Sequence, residues 1–172
     1  MFYYYFAMLV IVACSNYFVQ FPINDWVTWG GLFYPMTFLV TELVNRFQGS
    51  HKARQVVYVG FCLAVVLSVW LATPRIALAS GAAFLFSQLL DISVFNKLRQ
   101  GVWWKAPFYA SALGSILDSA IFWVIAFWGV EGIPFFSLAI GGTIVKLAVD
   151  LAMLTPFRLI VRRRLQKVQG NG

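Results

Sequence analysis

Residues 106–128 read APFYASALGSILDSAIFWVIAFW, the sequence pattern that is most informative about the fold class. Its only charged side chain is Asp118, and a membrane helix needs about 20 mostly apolar residues. Pro107 falls in the first turn, where a helix tolerates a missing N–H group. Membrane β-strands are a poor alternative, because the run is too long and does not alternate polar and apolar residues. The stretch therefore predicts a helix that crosses a lipid bilayer.

The rest of the chain repeats this pattern. Apolar runs separated by short polar loops predict spans over about residues 2–21, 27–45, 55–72, 76–95, 106–128 and 134–161. Of the 172 residues, 61% are hydrophobic and 11% are charged, and the mean hydropathy is +0.79. Soluble domains carry about 45–50% apolar and about 25% charged residues. We therefore predict an all-α, polytopic membrane protein, with residues 1–172 forming one domain of six antiparallel transmembrane helices.

The basic residues predict the orientation of the chain. Eleven of the 13 lysines and arginines fall on one side of a six-helix layout: Arg46, Lys52, Arg54, Lys97, Arg99, Lys105, Arg158, Arg162, Arg163, Arg164 and Lys167. Arg75 lies on the other side, and Lys146 lies within a span. Because Lys and Arg favour the cytoplasmic side of short loops, both termini are predicted to be cytoplasmic. The net charge of +7 then reflects cations that orient the chain in the membrane and lie beside anionic lipid. It does not indicate nucleic-acid binding.

Charged residues also occur within the predicted spans, namely Glu42, Asp91, Asp118, Lys146 and Asp150. A charge at the centre of a membrane helix costs about 2.5–3.5 kcal/mol, so such residues face a bundle interior and pair or bind something. Asp118 and Lys146 lie about 18 Å from opposite faces, near the midplane of a hydrocarbon core about 30 Å thick. They could pair or share a ligand, and Asp150 is an alternative partner for Lys146. A structural salt bridge between Glu42 and Arg46, four residues apart, is another alternative.

Neutral polar residues accompany these charges. Gln88 precedes Asp91 by three residues on the fourth predicted span, and Asn16 and Gln20 share a face near the outer end of the first. The fifth span carries serines on the face of its acid: Ser111, Ser115 and Ser119. Packing between helices is an alternative role for these serines.

The second predicted span is irregular. Gly30, Gly31 and Pro35 weaken its hydrogen-bond ladder. Broken helices mark binding sites in several transporter classes, and a simple kink is the alternative. Trp29 lies beside this irregularity and is a candidate stacking surface for a flat ligand, whereas most other tryptophans near span ends suit an interface belt.

Motifs for enzymatic chemistry are missing from the sequence. It holds one histidine, His51, and two cysteines, an inventory that does not make a usual zinc site. It has no His-Glu-x-x-His motif, phosphate-binding loop or Gly-x-Ser-x-Gly elbow. We therefore predict a protein that is not an enzyme and uses no metal or cofactor. A membrane hydrolase with Asp91 and Asp118 as an acid pair is an alternative that nothing in the local sequence specifies.

Four stretches carry a resemblance to a known family. They are SNYFVQFP at residues 15–22, parts of residues 28–46, the motifs RIA, QLLD and VFNKLR within residues 75–99, and the motifs WW, AP and DS within residues 103–122. Lys146 also looks like the lysine of that family's last span. Over most of its length the sequence resembles the vitamin uptake transporter family, also described as queuosine precursor transporters.

The resemblance implies a six-helix bacterial inner-membrane importer of 7-cyano-7-deazaguanine and 7-aminomethyl-7-deazaguanine, which are salvaged for the queuosine base of tRNA. Together with the polar residues above, it gives a set of candidate substrate-binding residues: Asn16, Gln20, Trp29, Glu42, Gln88, Asp91, Asn96, Ser115, Asp118 and Lys146. Either Asp91 or Asp118, with Gln88 and Lys146, would bind the polar edge of a guanine-like ring. Glu42 is alternatively a residue for proton coupling or gating.

The sequence departs from the family pattern at three positions. Glu42 stands where aspartate is more frequent, Ser87 replaces a usual glycine, and Asp150 matches no family residue. The expected partners are a deazapurine substrate and membrane lipid. Two questions stay open: whether a coupling ion, either proton or sodium, takes part, and whether the chain forms a homo-oligomer.

The resemblance also raises a rival interpretation, a substrate-binding component of an energy-coupling-factor vitamin importer. Such components are small, basic, six-helix proteins that depend on a partner membrane subunit and ATPases. Many carry small residues four apart on the first helix for docking, whereas Ala7 and Ala13 are six apart here. This spacing favours a self-sufficient transporter.

Overall fold

The computed structural model describes residues 1–18, 20–24, 27–71, 73–131 and 135–169. The elements follow in the order α1 (Phe2–Phe18), β1 (Pro22–Asn24), β2 (Val27–Thr28), α2 (Trp29–Phe33), α3 (Met36–Gln48), α4 (Ser50–Leu71), α5 (Pro74–Leu98), α6 (Lys105–Phe127) and α7 (Phe135–Gln169). The predicted all-α membrane-protein class is confirmed, and the short antiparallel pair β1–β2 is an addition that the apolar pattern did not predict.

Three helices in the described part of the chain are long and apolar enough to cross a membrane, namely α4, α5 and α6. The first helix, α1, is also apolar but has 17 residues. Large apolar side chains face outward along these helices and α7, as at Trp70 (86% exposed), Leu78 (66%) and Ile144 (61%). Such a surface suits a lipid solvent, in which every backbone polar group must be satisfied within the helix.

The helices differ in extent from the predicted spans. α4 begins at Ser50, whereas the third predicted span begins at residue 55. α5 continues to Leu98, whereas the fourth predicted span ends at residue 95. Backbone hydrogen bonds continue through polar residues beyond an apolar run, so a helix outlasts its hydrophobic part. The first helix ends earlier than predicted, at Phe18, because the chain turns into the hairpin. The predicted span ends at Ala72 and Pro134 lie outside the described residues.

The second predicted span is divided into a strand and two helices. Val27 and Thr28 form β2, and the Thr28 hydroxyl caps α2 by accepting a hydrogen bond from the Gly31 N–H at 3.1 Å. After Tyr34, Pro35 provides no N–H group, so the ladder of α2 stops and α3 begins at Met36. The interruption predicted at the glycines and the proline is therefore present.

Arginine contacts gather several helix ends at one end of the bundle. Arg46 donates to the Arg99 carbonyl at 2.7 Å, which joins the C-terminal ends of α3 and α5. Arg164 donates to the Tyr4 hydroxyl at 3.1 Å, and its guanidinium lies 4.6 Å from the centre of the Phe47 ring. The start of α1 and the end of α7 therefore lie beside the end of α3.

A further arginine completes this end of the molecule. The guanidinium of Arg158 lies 4.6 Å from the Trp103 ring centre, beside the loop before α6. We call this region the basic end, after Arg46, Arg99, Arg158 and Arg164. At the opposite end Arg75 donates to the carbonyls of Ile125 and Trp128, both at 2.7 Å.

The interior of the bundle is polar as well as apolar. Buried polar residues come from α3, α5, α6 and α7, including Thr37, Thr41, Glu42, Asn45, Gln88, Asp91, Ser115, Asp118, Ser119 and Asp150. They lie between apolar clusters that contain residues such as Val44, Ile92 and Phe95. Polar groups are therefore enclosed and apolar groups are turned outward, the arrangement expected when the solvent is lipid.

Candidate functional site

An ion pair lies between the middle of α6 and α7. Lys146 Nζ donates to Asp118 Oδ2 at 2.5 Å and to the Ser119 hydroxyl at 3.2 Å. The side chains of Lys146 and Asp118 are 17% and 6% exposed. We call Asp118 and Lys146 the central pair. Pairing of these two residues was one of the alternatives that the sequence left open, and the structure contains this pair. It is the one ion pair found within the described residues.

Tyr34 completes the environment of the central pair. Its hydroxyl donates to Asp118 Oδ1 at 2.6 Å, and its ring centre lies 5.3 Å from Lys146 Nζ. Tyr34 occupies the turn between α2 and α3, so the interruption by Pro35 determines where this hydroxyl lies. Both oxygens of Asp118 therefore accept strong, charge-assisted hydrogen bonds.

Gln88 is held by two threonines of α3. The Thr41 hydroxyl donates to Gln88 Oε1 at 2.7 Å, and Gln88 Nε2 donates to the Thr37 hydroxyl at 2.7 Å. Thr37 in turn donates to the Tyr34 carbonyl at 2.7 Å. This network ties Gln88 on α5 to the turn that carries Tyr34, and a satisfied buried network of this kind fixes side-chain positions.

Three buried acids form a second polar group, which we call the acid cluster: Glu42, Asp91 and Asp150. The carboxyl groups of Glu42 and Asp91 are close enough to interact electrostatically, and Asp150 interacts with both. Glu42 Oε1, both carboxylate oxygens of Asp91 and Asp150 Oδ1 are buried without a hydrogen-bond partner among the described residues. Arg46 donates instead to Arg99, so the alternative of a structural Glu42–Arg46 salt bridge is not adopted.

Asp150 is the member of the acid cluster that lies nearest the central pair. The Ser115 hydroxyl donates to Asp150 Oδ2 at 2.6 Å. Asp150 follows Lys146 by one helical turn on α7, and Ser115 precedes Asp118 by nearly one turn on α6. The two polar groups are therefore adjacent.

Four predicted site residues lie away from both groups. Asn16 donates to the Val12 carbonyl of its own helix at 2.9 Å, and the exposed Gln20 donates to the Tyr17 carbonyl at 3.3 Å. Trp29 is 51% exposed at the start of α2. The exposed Asn96 lies near the basic end, where its side-chain oxygen accepts from Arg99 at 3.4 Å.

Sequence reasoning missed Tyr34, Thr37 and Thr41. Two signals could have found them. Tyr34 immediately precedes the proline of the interrupted span. Thr37 and Thr41 are four residues apart, so they lie on the same face of α3.

A groove of about 340 Å³ opens between α6 and α7. Its lining includes Ser119, whose hydroxyl accepts a hydrogen bond from Lys146, together with Trp123 and Thr143. Through Ser119 the groove reaches the central pair from the side of the bundle. In the part of the chain that the structure describes, no group of three or more His, Cys, Asp or Glu side chains is arranged to hold a metal ion.

Comparisons with known proteins give a consistent result. The family model described as vitamin uptake transporter matches residues 28–73 and 67–161. A Haemophilus influenzae protein named "Probable queuosine precursor transporter" is 35% identical over 159 residues, covering 72% of this chain and 68% of the relative. The Escherichia coli "Queuosine precursor transporter" is 34% identical over 144 residues, covering 70% of this chain and 65% of the relative.

A more distant relative carries the same description. A Bacillus subtilis "Probable queuosine precursor transporter" is 26% identical over 156 residues, covering 74% of this chain and 68% of the relative. The match thus spans about two thirds of the length of each relative. No solved structure matches the chain.

Proposed function

The chain belongs to the vitamin uptake transporter family, and we propose that it imports queuosine precursors across the bacterial inner membrane. It is a multi-pass membrane transporter and not an enzyme. The observation that carries the substrate proposal is the central pair, an acid and a base enclosed within a bundle whose outer surface is apolar. Intramembrane charges of this kind mark substrate pathways.

The central pair matches the edge of a 7-deazaguanine ring. Such a ring presents two adjacent N–H donors, which suit one carboxylate, and a carbonyl oxygen, which suits a cationic or amide donor. Asp118 accepts from the two N–H groups, and Lys146 donates to the carbonyl. What supports Asp118 over Asp91 in this role is its neighbourhood, because Lys146 and Tyr34 lie beside Asp118, whereas Asp91 is fully buried against Glu42.

The other predicted residues act in sequence along the bundle. Asn16, Gln20 and Trp29 make first contact with the ligand at the end opposite the basic end, where Trp29 offers a stacking face. Gln88 and Ser115 lie at the depth of the central pair and its neighbours, and Asn96 and Glu42 lie on the way to the basic end. This path runs within one chain, so it is compatible with a homo-oligomer but does not require one.

The chain crosses the membrane six times in this proposal. α1, the α2–α3 segment, α4, α5, α6 and α7 are the crossings, and the basic end faces the cytoplasm, together with the first turn of α1 and the last turn of α7. What supports this orientation is the gathering of arginines at one end of the bundle, which the positive-inside rule assigns to the cytoplasm.

A cellular uptake assay tests the proposal. The host should neither make deazaguanines nor carry its own importer, and it should lack every energy-coupling module. With 7-cyano-7-deazaguanine in the medium, we expect queuosine in the tRNA only when this chain is expressed. Queuosine that appears only after a coupling module is added would instead support a substrate-binding component.

Acid-to-amide variants test the site in the same cells. Asp118→Asn should reduce uptake by at least about tenfold, the loss expected when a charged hydrogen-bonding partner of the substrate is removed. Asp91→Asn should also reduce uptake by at least about tenfold, because the buried Asp91 interacts with Asp150, which adjoins the central pair. Asp118→Asn leaves the buried Lys146 unpaired, so the double variant Asp118→Asn/Lys146→Gln serves as a neutral pair that can still fold. Membrane abundance should match that of the exposed control Glu131→Gln. Normal uptake in both single variants would contradict the site assignment.

A further inference from the structure

We propose that the acid cluster is a proton-binding site that couples substrate import to the proton gradient, an inference that rests on the proposed transport function. The cluster adjoins the central pair through Asp150. Its other two acids lie on the cytoplasmic side of Asp118 in the proposed orientation. Glu42 is six residues before the end of α3 and Asp91 is seven before the end of α5, about 9–10 Å from the basic end. Asp118 is 13 residues into α6, about 20 Å from that end.

Glu42 and Asp91 have no counter-ion in the described part of the chain. Asp91 is fully buried and Glu42 is 3% exposed, and their carboxylate oxygens include three with no hydrogen-bond partner among the described residues. The ion pair found in the described part of the chain uses Lys146 for Asp118, so no cation is paired with these two acids. An ionised carboxylate that is buried without a partner is very costly and takes up a proton instead.

Glu42 and Asp91 are neighbouring acids across the contact between α3 and α5. Two buried carboxylates that repel each other are unlike a single acid, because one proton bound between them removes the repulsion. Asn45 lies nearly one turn after Glu42, and its Oδ1 is buried without a partner while its Nδ2 donates to the Ile92 carbonyl at 3.0 Å. The same α3–α5 contact thus contains a free acceptor for a protonated carboxyl.

Asp150 links the acid cluster to the central pair. An ionised Asp150 attracts Lys146 away from Asp118, whereas a protonated Asp150 leaves the central pair intact. The proton content of the acid cluster therefore changes the groups that hold the substrate. Titratable groups face this region from every element packed around it: Tyr34, Glu42, Asp91, Asp118, Lys146 and Asp150.

The transport step moves one proton with each substrate molecule. The proton enters from the outer side, binds the acid cluster while the substrate occupies the central pair, and leaves to the cytoplasm. One carboxyl O–H bond forms when the proton binds and breaks when it leaves, the substrate is chemically unchanged, and import of a neutral deazaguanine carries one positive charge inward. With one proton per substrate, a gradient of about one pH unit supports about tenfold accumulation.

Proteoliposomes that contain the purified chain and an internal pH-sensitive dye test this inference. With the outside more acidic, 7-cyano-7-deazaguanine should accumulate inside and acidify the interior as it enters. If uptake ignores the pH gradient, or follows a sodium gradient at constant pH, the inference is overturned while the transport function stands. Failure of the wild-type protein to take up the compound under any gradient would instead contradict the transport function.

Variants of the acid pair distinguish coupling from a structural role. Two quantities are measured for Glu42→Gln and Asp91→Asn: the substrate accumulation driven by a pH gradient, and the exchange of labelled for unlabelled substrate. The ratio of accumulation to exchange should fall about tenfold, because the accumulation that one coupled proton supports at about one pH unit is lost. A variant that merely misfolds lowers both accumulation and exchange, and it leaves the ratio between them unchanged. Glu42→Asp, which keeps the carboxyl, should restore the ratio, and the exposed Glu131→Gln should not change it. An unaltered ratio in both amide variants would overturn the assignment.

Discussion

Asp118 is the residue at which three elements meet. It lies on α6, receives a hydrogen bond from Lys146 on α7, and receives another from Tyr34 in the turn after α2. A buried carboxylate with charge-assisted bonds to both oxygens is held in one orientation. This is the preorganisation that a binding site for a planar, polar edge requires.

The Tyr34 hydroxyl should contribute to substrate affinity through Asp118. Tyr34→Phe keeps the ring beside Lys146 but removes one hydrogen bond to a charged acceptor, a bond that contributes about 1.5–3 kcal/mol. We expect the KM for 7-cyano-7-deazaguanine to rise about tenfold or more, which corresponds to the lower end of that range. Uptake rates over a range of substrate concentrations measure this change.

The matched control for that prediction is Tyr58→Phe. Tyr58 lies on α4 and is 48% exposed, so the loss of its hydroxyl should leave the KM unchanged. An unchanged KM for Tyr34→Phe would show that the position of Asp118 does not depend on the tyrosine.

From sequence alone, pairing of Asp118 with Lys146 was one of several alternatives, and the surroundings of the pair were not predicted. Asp118 and Lys146 could be placed near the midplane because helix rise is regular and charges are costly in lipid. Tyr34 and the two threonines could not be placed, because tyrosine and threonine are tolerated at many positions in a membrane helix. Their roles depend on the turn at Pro35, which sets the angle between α2 and α3.

At the scale of elements, the contact between α6 and α3 is very close at Gly114. A Cβ atom added there would lie 2.7 Å from Cε1 of Phe38, a ring that is fully buried. Gly114→Ala should therefore destabilise the bundle by about 1–3 kcal/mol, the usual cost of overpacking a core. Thermal unfolding in detergent measures the effect as a lower Tm.

Gly81→Ala is the matched control for this helix contact. A Cβ atom at Gly81 on α5 would lie 3.5 Å from the Phe61 ring, which is ordinary van der Waals contact. We expect Gly81→Ala to keep or slightly raise the Tm, since alanine favours a helix over glycine. Equal Tm values for the two variants would mean that Phe38 can move aside.

Helix positions were predictable, but helix ends were less so. Apolar runs located every long helix, because each must present apolar surface to lipid. The hairpin of β1 and β2 was not predicted, because five residues that pair locally carry no periodic signal. The extra turns of α4 and α5 at the basic end were missed for a different reason, since polar residues continue a helix without adding hydrophobicity.

For the whole molecule, the basic end gives a testable orientation. Cysteine variants at His51, on α4 near the basic end, and at Glu131, on the opposite side, should differ in reactivity after the native Cys14 and Cys62 are replaced. In intact cells an impermeant thiol reagent should label Glu131→Cys but not His51→Cys. Permeabilised cells should allow both reactions, and labelling of His51→Cys in intact cells would reverse the proposed orientation.

The whole bundle combines an apolar exterior with two adjacent polar groups. The central pair is the proposed substrate site, and the acid cluster is one helical turn away through Asp150. Adjacent sites of this kind allow one ligand to change the affinity for another, with an effect that is equal in both directions. In the proposed mechanism, import depends on both groups.

Ligand-dependent thermal stability of the purified protein is a direct test of substrate binding at the central pair. A ligand that binds only the folded state raises the Tm, by an amount that grows with the ratio of ligand concentration to Kd. We predict that 7-cyano-7-deazaguanine and 7-aminomethyl-7-deazaguanine raise the Tm, that riboflavin and biotin do not, and that Asp118→Asn/Lys146→Gln abolishes the shift. Stabilisation by riboflavin or biotin and not by deazaguanines, or an undiminished shift in the double variant, would contradict the account.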